Sequence, residues 1–353
     1  MPEFLELLQP SAALQRFMEN LAPDINGEEQ VALSALAGRI ASRPIIATQS
    51  LPTFDRATVD GFAVRASDTF GASESLPAYL TLIGEVPMGR SVNLTIQAGQ
   101  TAAIHTGGML PRGADAVVML EHTQRAGERE VEVLRAVAPA ENIILQGEDV
   151  QVGTVIIDAG QRLGAEQVGS LAAIGITSAW VACLPIIGVI STGDEVVAPD
   201  VEPSPGQVRD VNTTSLSALI ALSGGIPRAY GIVPDQSSQL EEVVSLALRE
   251  CQAVVITAGS SASTRDLTAE VIQKMGAPGV LVHGVDVKPG KPTILGVCGG
   301  KGVIGLPGNP VSAIMIARLF VVPLIERLLG YSHPQPDPVV NAVLTVNVVS
   351  QAG

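Results

Sequence analysis

Apolar positions change their spacing along this chain, and each change marks a different kind of structure. Leu14, Phe17, Met18 and Leu21 recur at helical spacing, as do Val31, Leu33, Leu36 and Ile40, which predicts helices over residues 11–21 and 27–41. Between about residues 44 and 139, short β-branched runs alternate with glycine and proline turns, at 79–83, 91–96, 100–104, 116–120 and 130–134. This pattern predicts an all-β lobe, a compact barrel or sandwich. Residues 140–176 are mixed and end in a predicted helix over 165–174.

From about residue 177 the pattern becomes strand, turn, helix, repeated. Strands are predicted at 185–192, 228–233, 253–258, 280–283 and 302–306, and helices at 213–222, 236–249, 265–275 and 311–329. Such alternation predicts a doubly wound parallel α/β domain with helices on both faces and ligands at the carboxyl ends of the strands. Residues 331–338 read as a linker, and 339–349 alternate like the first strand of a further β domain. The expected fold is thus a multidomain α/β protein with a β-rich lobe. Residues 1–43 and 140–176 form a discontinuous helical/β domain, 44–139 the lobe and 177–330 the α/β domain, with 331–353 the linker and first strand of a C-terminal β domain.

Composition narrows the chemistry. The net charge of −14 argues against a nucleic-acid partner, whose phosphates would be repelled, and aromatic residues make up only 3%, too few for base-stacking platforms. Any anionic ligand must be drawn in by a local basic patch or a metal ion. Cys183, Cys251 and Cys298 lie far apart in apolar stretches without metal-ligand spacing, and read as buried structural thiols. There is no signal-peptide pattern and no run of 18 apolar residues, so no membrane span is expected and the chain reads as cytoplasmic.

Against that acidic background three strand-end turns stand out. Lys288 and Lys291 flank Pro289-Gly290 on a stiff turn, and fixed ammonium groups suit an oxyanion because little remains to be ordered on binding. Pro307, Gly308, Asn309 and Pro310 form a glycine turn that opens a helix, with Ser312 in its first turn. Gly259, Ser260 and Ser261 precede another helix start, where backbone amides favour phosphate. Strand-end carboxylates, namely Asp194 and Glu195 after Ser191-Thr192-Gly193, Asp210 close to Asn212, Asp235 and Asp266, suit Mg²⁺ as a set. Each also has a plainer reading: a helix cap, a solvated turn or a surface lysine pair. In the β-rich lobe, residues 54–64, 105–115 and 147–149 are dense in turn and polar residues, as functional loops on a scaffold are.

Taken in order, FDRATVDGFAVRA, HTGGMLPRGADAVVMLEHT, GEDV, GVISTGDEVV, RDVNTTSL, KPGKPTILG and LPGNPVSA resemble the molybdopterin molybdenumtransferase family, of which MoeA-like proteins and the gephyrin E domain are members. The resemblance runs from about residue 3 to the end. It implies an elongated homodimer that uses Mg²⁺ to convert adenylylated molybdopterin and molybdate into molybdenum cofactor and AMP, with the molybdopterin adenylyltransferase as a further partner. By the same motifs, Lys288, Lys291 and Ser312 would hold molybdate or pyrophosphate oxygens, and Glu195, Asp235 and Asp266 would organise the metal and nucleotide. Ser191, Thr192, Gly193, Asp210, Asn212, Gly259, Ser260, Ser261 and residues 307–310 would line the molybdopterin site. Asp60, Thr106 and Asp149 match polar loop positions of the lobe, which would close the cleft from the partner subunit. The residues also admit a non-catalytic dimeric scaffold or a pterin-binding module of the same fold; the lysines and carboxylates at the strand ends favour the enzyme.

Overall fold

In a computed structural model the described residues are 7–22, 26–258, 262–332, 340–343, 345 and 346; for 258 and 262–266 the element is described but not the side chain. Contacts divide the chain into two compact units: Met1–Arg43, Asp158–Val168 and Ser178–Gly353 in one, and Pro44–Ile157 with Gly169–Thr177 in the other.

The first unit is built on a six-stranded sheet in the order Ile226–Val233, Ile186–Thr192, Ala253–Ala258, Lys301–Pro307, Ile294–Cys298, Pro278–His283. Alternate residues of its strands enter opposite cores, as the period of two in a pleated strand requires. Ile187, Val189 and Val255 join Phe17, Leu216 and Phe320 from helices Pro10–Glu19, Asn212–Leu222 and Pro310–Leu328. Ile190, Val254 and Ile256 face the other way, toward Leu240 and Val244 of helix Ser237–Glu250 and Val271 and Ile272 of helix Ala262–Lys274. Helices therefore cover both faces. Among the described residues no helix is long and apolar enough to cross a membrane.

The sheet is mixed, where an all-parallel one was expected. Its first four strands are parallel, but Ile294–Cys298 runs antiparallel to both Lys301–Pro307 and Pro278–His283. The cause is local. Gly299 and Gly300, at φ of 57° and 82°, make a two-residue turn, and a link that short joins only antiparallel strands.

A second correction concerns the helix expected over 27–41. Residues Glu28–Ala32 form a strand paired antiparallel with Ser178–Ala182, followed by a single 3₁₀ turn at Leu33–Ala35. Leu36 and Ile40 are buried as their spacing suggests, yet the backbone bonds come from a strand about 150 positions away, which overrides helical period. The strand expected over 339–349 falls partly outside the described residues, and 340–343, 345 and 346 carry none.

In the second unit, six strands pair in the order Ala116–Met119, Gly61–Val64, Gln100–Ile104, Ala78–Glu85, Glu130–Val133, Thr123–Arg125. This pairing runs from edge to edge without closing, so of the barrel or sandwich expected the sheet forms an open one. The strand expected at 91–96 is also missing. Thr95 makes one isolated bridge to Arg112, and Ile96 is anchored by burial and by its amide, which donates to the Arg112 carbonyl at 2.8 Å.

Candidate active site at the carboxyl edge of the mixed sheet

Strand register places most of the chosen residues along one edge. Ser191 pairs with Thr257, Ala258 with Pro307, and Gly305 with Ile294, which pairs in turn with His283. Two successive antiparallel steps restore the direction of Pro278–His283 to that of the parallel strands. The turn bearing Lys288 and Lys291 therefore leaves the same edge as the Ser191–Glu195 and Pro307–Pro310 turns.

Ser191 and Thr192 end their strand buried, and hydroxyls knit them to the next strand. The Thr192 hydroxyl donates to the Thr257 carbonyl at 3.2 Å, and the Thr257 hydroxyl donates to Ser191 Oγ at 3.4 Å. Gly193 sits at φ +142°, and a Cβ there would stand 2.7 Å from Glu195 Oε2. Glycine is what lets the Glu195 carboxylate fold back over this turn. Asp194 Oδ1 accepts from the Asp235 amide at 3.2 Å, which sets two carboxylates side by side.

Asp235 is the most perturbed acid of this edge. Burial, and then the negative charges of Asp194 and Glu195, push its carboxyl above the usual carboxylate range. Its Oδ1 is buried with no hydrogen-bond partner. An orphaned carboxylate oxygen facing two more carboxylates suits a hard divalent cation, which takes oxygen ligands and neutralises that repulsion. Among the described residues no three acidic, histidine or cysteine side chains form a ready metal cluster, and the side chain of Asp266 is not described.

Asp210 and Asn212 turn out to organise helix starts. Asp210 accepts from the Thr213 amide at 3.0 Å and the Thr213 hydroxyl at 2.6 Å, capping helix Asn212–Leu222. Asn212 is buried, and its Nδ2 donates to the Gly308 carbonyl at 2.8 Å. Asn309 caps the closing helix by accepting from the amides of Val311 and Ser312 at 3.1 and 3.3 Å, and Pro310 occupies the first helical position. Ser312 is buried against this turn, with its Oγ 3.5 Å from Asn309 Oδ1.

The two lysines are exposed on a turn that is itself braced. The Thr293 hydroxyl donates to the Gly290 carbonyl at 2.6 Å, and the Lys291 carbonyl accepts from the amides of Val285 and Thr293, both at 2.9 Å. Gly290, at φ +123°, lies against helix Pro310–Leu328, where a Cβ would meet Ile316 Cδ1 at 2.4 Å. The ammonium stems thus spring from a fixed backbone. Gly259, Ser260 and Ser261 lie outside the described residues.

Asp60, Thr106 and Asp149 belong to the second unit, all exposed. Asp60 Oδ1 accepts from the Thr106 amide at 2.7 Å and its hydroxyl at 3.0 Å, and these two bonds hold the carboxyl below its ordinary range. The Asp149 amide donates to the Leu51 carbonyl at 3.0 Å. Sequence reasoning passed over two neighbours of Asp60, His105 and Glu85. The available signal was that His105, one of four histidines, directly precedes Thr106. Of the three thiols, Cys251 and Cys298 are buried, whereas Cys183 is only half-buried, at the end of a strand rather than within a core.

The chain resembles known proteins over most of its length. Residues 8–175 match the family profile described as MoeA N-terminal region (domain I and II), and residues 188–327 match the one described as Probable molybdopterin binding domain. A molybdopterin molybdenumtransferase of Nostoc sp. is 33% identical over 317 residues, 88% of this chain and 72% of the relative. A molybdopterin molybdenumtransferase 2 of Mycobacterium tuberculosis is 31% identical over 92% of this chain and 80% of its own length. Among solved structures, a molybdopterin biosynthesis MoeA protein of Pyrococcus horikoshii superposes with a TM-score of 0.81 at 34% identity, covering 92% of this chain and 80% of that one.

Proposed function

Because this chain belongs to the molybdopterin molybdenumtransferase family, whose members act in molybdenum cofactor biosynthesis, we propose that it inserts molybdenum: adenylylated molybdopterin and molybdate are converted to molybdenum cofactor and AMP with the help of Mg²⁺. The observation that carries the reading is one sheet edge holding two fixed lysines, two capped helix starts and the half-buried Asp235 carboxylate among its acidic neighbours.

In this reading Lys288 and Lys291 bind the tetrahedral molybdate dianion, aided by Ser312 and by the positive end of the helix that opens at Pro310. Glu195 and Asp235, with Asp266, hold Mg²⁺, which when bound supplies Lewis-acid stabilisation to phosphoryl oxygens. Asn212 keeps the Gly308 turn shaped for close backbone approach to the substrate. Asp60, Thr106 and Asp149 of the β-rich lobe would close the cleft of the partner subunit in the homodimer. A covalent protein nucleophile is not required, since the substrate's own dithiolene sulfurs capture the metal. Homodimerisation and delivery of substrate by a molybdopterin adenylyltransferase are part of the same proposal.

The test is AMP release from adenylylated molybdopterin with and without molybdate and Mg²⁺. We expect release to need both ions and to fall roughly 100-fold in Lys288→Ala and Lys291→Ala, the scale typical of a lost electrostatic stabiliser. Release that ignores molybdate, or survives both substitutions, would sink the reading.

A further inference from the structure

Three strand ends of the β-rich unit converge on His105. Gly61 pairs with Ile104, so Asp60, just before one strand, lies beside His105, just after the other. On the opposite side, Glu85 ends the parallel neighbour strand and pairs with Ala103. The imidazole spans the gap. Its Nε2 is 3.1 Å from Glu85 Oε1, and its Nδ1 is 3.7 Å from Asp60 Oδ1, the same oxygen that Thr106 holds twice. Among the described residues these two carboxylates are the charged groups that face the ring, one from each flanking strand.

The two ring nitrogens make different contacts, and that difference has consequences. A neutral imidazole has one N–H, and Glu85 lies within hydrogen-bond distance to take it from Nε2. The Nδ1 lone pair then points toward Asp60, and 3.7 Å is too long for a bond. A protonated imidazole donates from both nitrogens and attracts both acids. Imidazole is the side chain whose charge responds most readily to pH, and here both ring nitrogens have a carboxylate within reach.

We propose that Glu85 and His105 are positioning residues that brace Asp60 in a proton-sensitive way, Glu85 by anchoring Nε2 and His105 by drawing in the Asp60 carboxylate when its ring is charged. The proposal rests on Asp60 serving the reaction assigned above. None of the three side chains is buried, with His105, Asp60 and Glu85 55%, 60% and 65% exposed, so the brace acts on orientation rather than on stability.

The experiment uses full-length protein labelled with ¹³C at aspartate carboxyls, with the Asp60 signal assigned by its loss in Asp60→Asn. In His105→Gln the Asp60 titration midpoint should move upward, and in Glu85→Gln it should move the same way by less. An Asp60 titration unchanged in both variants overturns the proposal, and a shift confined to His105→Gln removes Glu85 from it. In parallel, kcat for AMP release is followed from pH 5.5 to 8.5, where both variants should lose several-fold at the acidic end and converge on the unmodified protein at the alkaline end. Superimposable pH profiles alongside a moved titration would also overturn it, because the brace would then not serve the reaction. If the unmodified protein releases no AMP at any pH, the reaction assigned above fails, while the carboxyl titration still decides whether the brace exists.

Discussion

The Asn212 side-chain amide donates to the backbone carbonyl of Gly308 at 2.8 Å, joining the start of helix Asn212–Leu222 to the turn that opens helix Pro310–Leu328. The contact spans 96 positions of sequence and is part-buried, with Asn212 itself buried. It also fixes which end of the amide is nitrogen, since only Nδ2 can donate to a carbonyl.

Asn212→Ala should therefore leave the Gly308 carbonyl without its donor and lower stability by about 1–2 kcal/mol, measured by urea unfolding. Asn212→Asp should cost more, because a carboxylate would face the carbonyl oxygen. Equal stability of all three proteins would show that the turn is held by other contacts.

Asn309 accepts from two amides that begin the closing helix. Replacing it with alanine should cost about 1 kcal/mol, and replacing it with aspartate or serine should recover most of that loss, because either can cap. Aspartate should nevertheless weaken molybdate binding, measured by calorimetry, because it adds a negative charge beside the anion site.

Gly290→Ala combines a strained φ with a Cβ set against Ile316, so a loss of roughly 1–3 kcal/mol is expected. In an Ile316→Ala background, which lacks both the Cδ1 at 2.4 Å and the Cγ1 at 2.5 Å, Gly290→Ala should cost less: the clash is gone and the backbone strain stays. Thermal unfolding of the single and double variants separates the two contributions. A double variant as stable as Ile316→Ala alone would mean that the strained φ contributes nothing.

Asp235 makes stability depend on pH in a direction opposite to most carboxylates. Its folded carboxyl holds its proton more tightly than the unfolded one, so the folded state binds more protons between the two midpoints. Stability contributed there is present at low pH and falls as pH rises through the ordinary carboxylate range toward the raised folded value. Above that value the repulsion from Asp194 and Glu195 is fully expressed. At pH 7 without Mg²⁺, Asp235→Asn should raise the unfolding temperature, and added Mg²⁺ should stabilise the unmodified protein but not the variant.

Burial pushes the Cys298 thiol up to about 11, which keeps it protonated and unreactive at pH 8. Iodoacetamide should therefore label the half-buried Cys183 first and leave Cys298 untouched in the folded protein, as peptide mapping would reveal. Early labelling of Cys298 would mean that this part of the core opens readily.

Much of the α/β unit was legible because its elements announce themselves locally. The helices Asn212–Leu222, Ser237–Glu250 and Pro310–Leu328 fall within a residue or two of their expected ranges, since the second is clearly amphipathic and the other two add a glycine turn or a cap. The glycine turns, the paired lysines and the strand-end acids were equally visible, because positive φ, fixed cations and short polar caps each demand particular residue types.

What the linear chain left open was decided by partners distant in sequence. Residues Glu28–Ala32 became a strand only because Ser178–Ala182 lies alongside. The direction of Ile294–Cys298 rested on two glycines whose meaning depends on which strands meet. That Asp210 caps a helix and Asn212 ties it to the Gly308 turn could be seen only once the fold brought those partners together. His105 gained a role only when strand pairing brought Asp60 to one ring nitrogen and Glu85 to the other. Local propensity and spacing specify which elements form and which residue types sit at their ends. Hydrogen-bond pairing and burial across the sheets specify which of those residues meet, and that depends on the whole chain being folded.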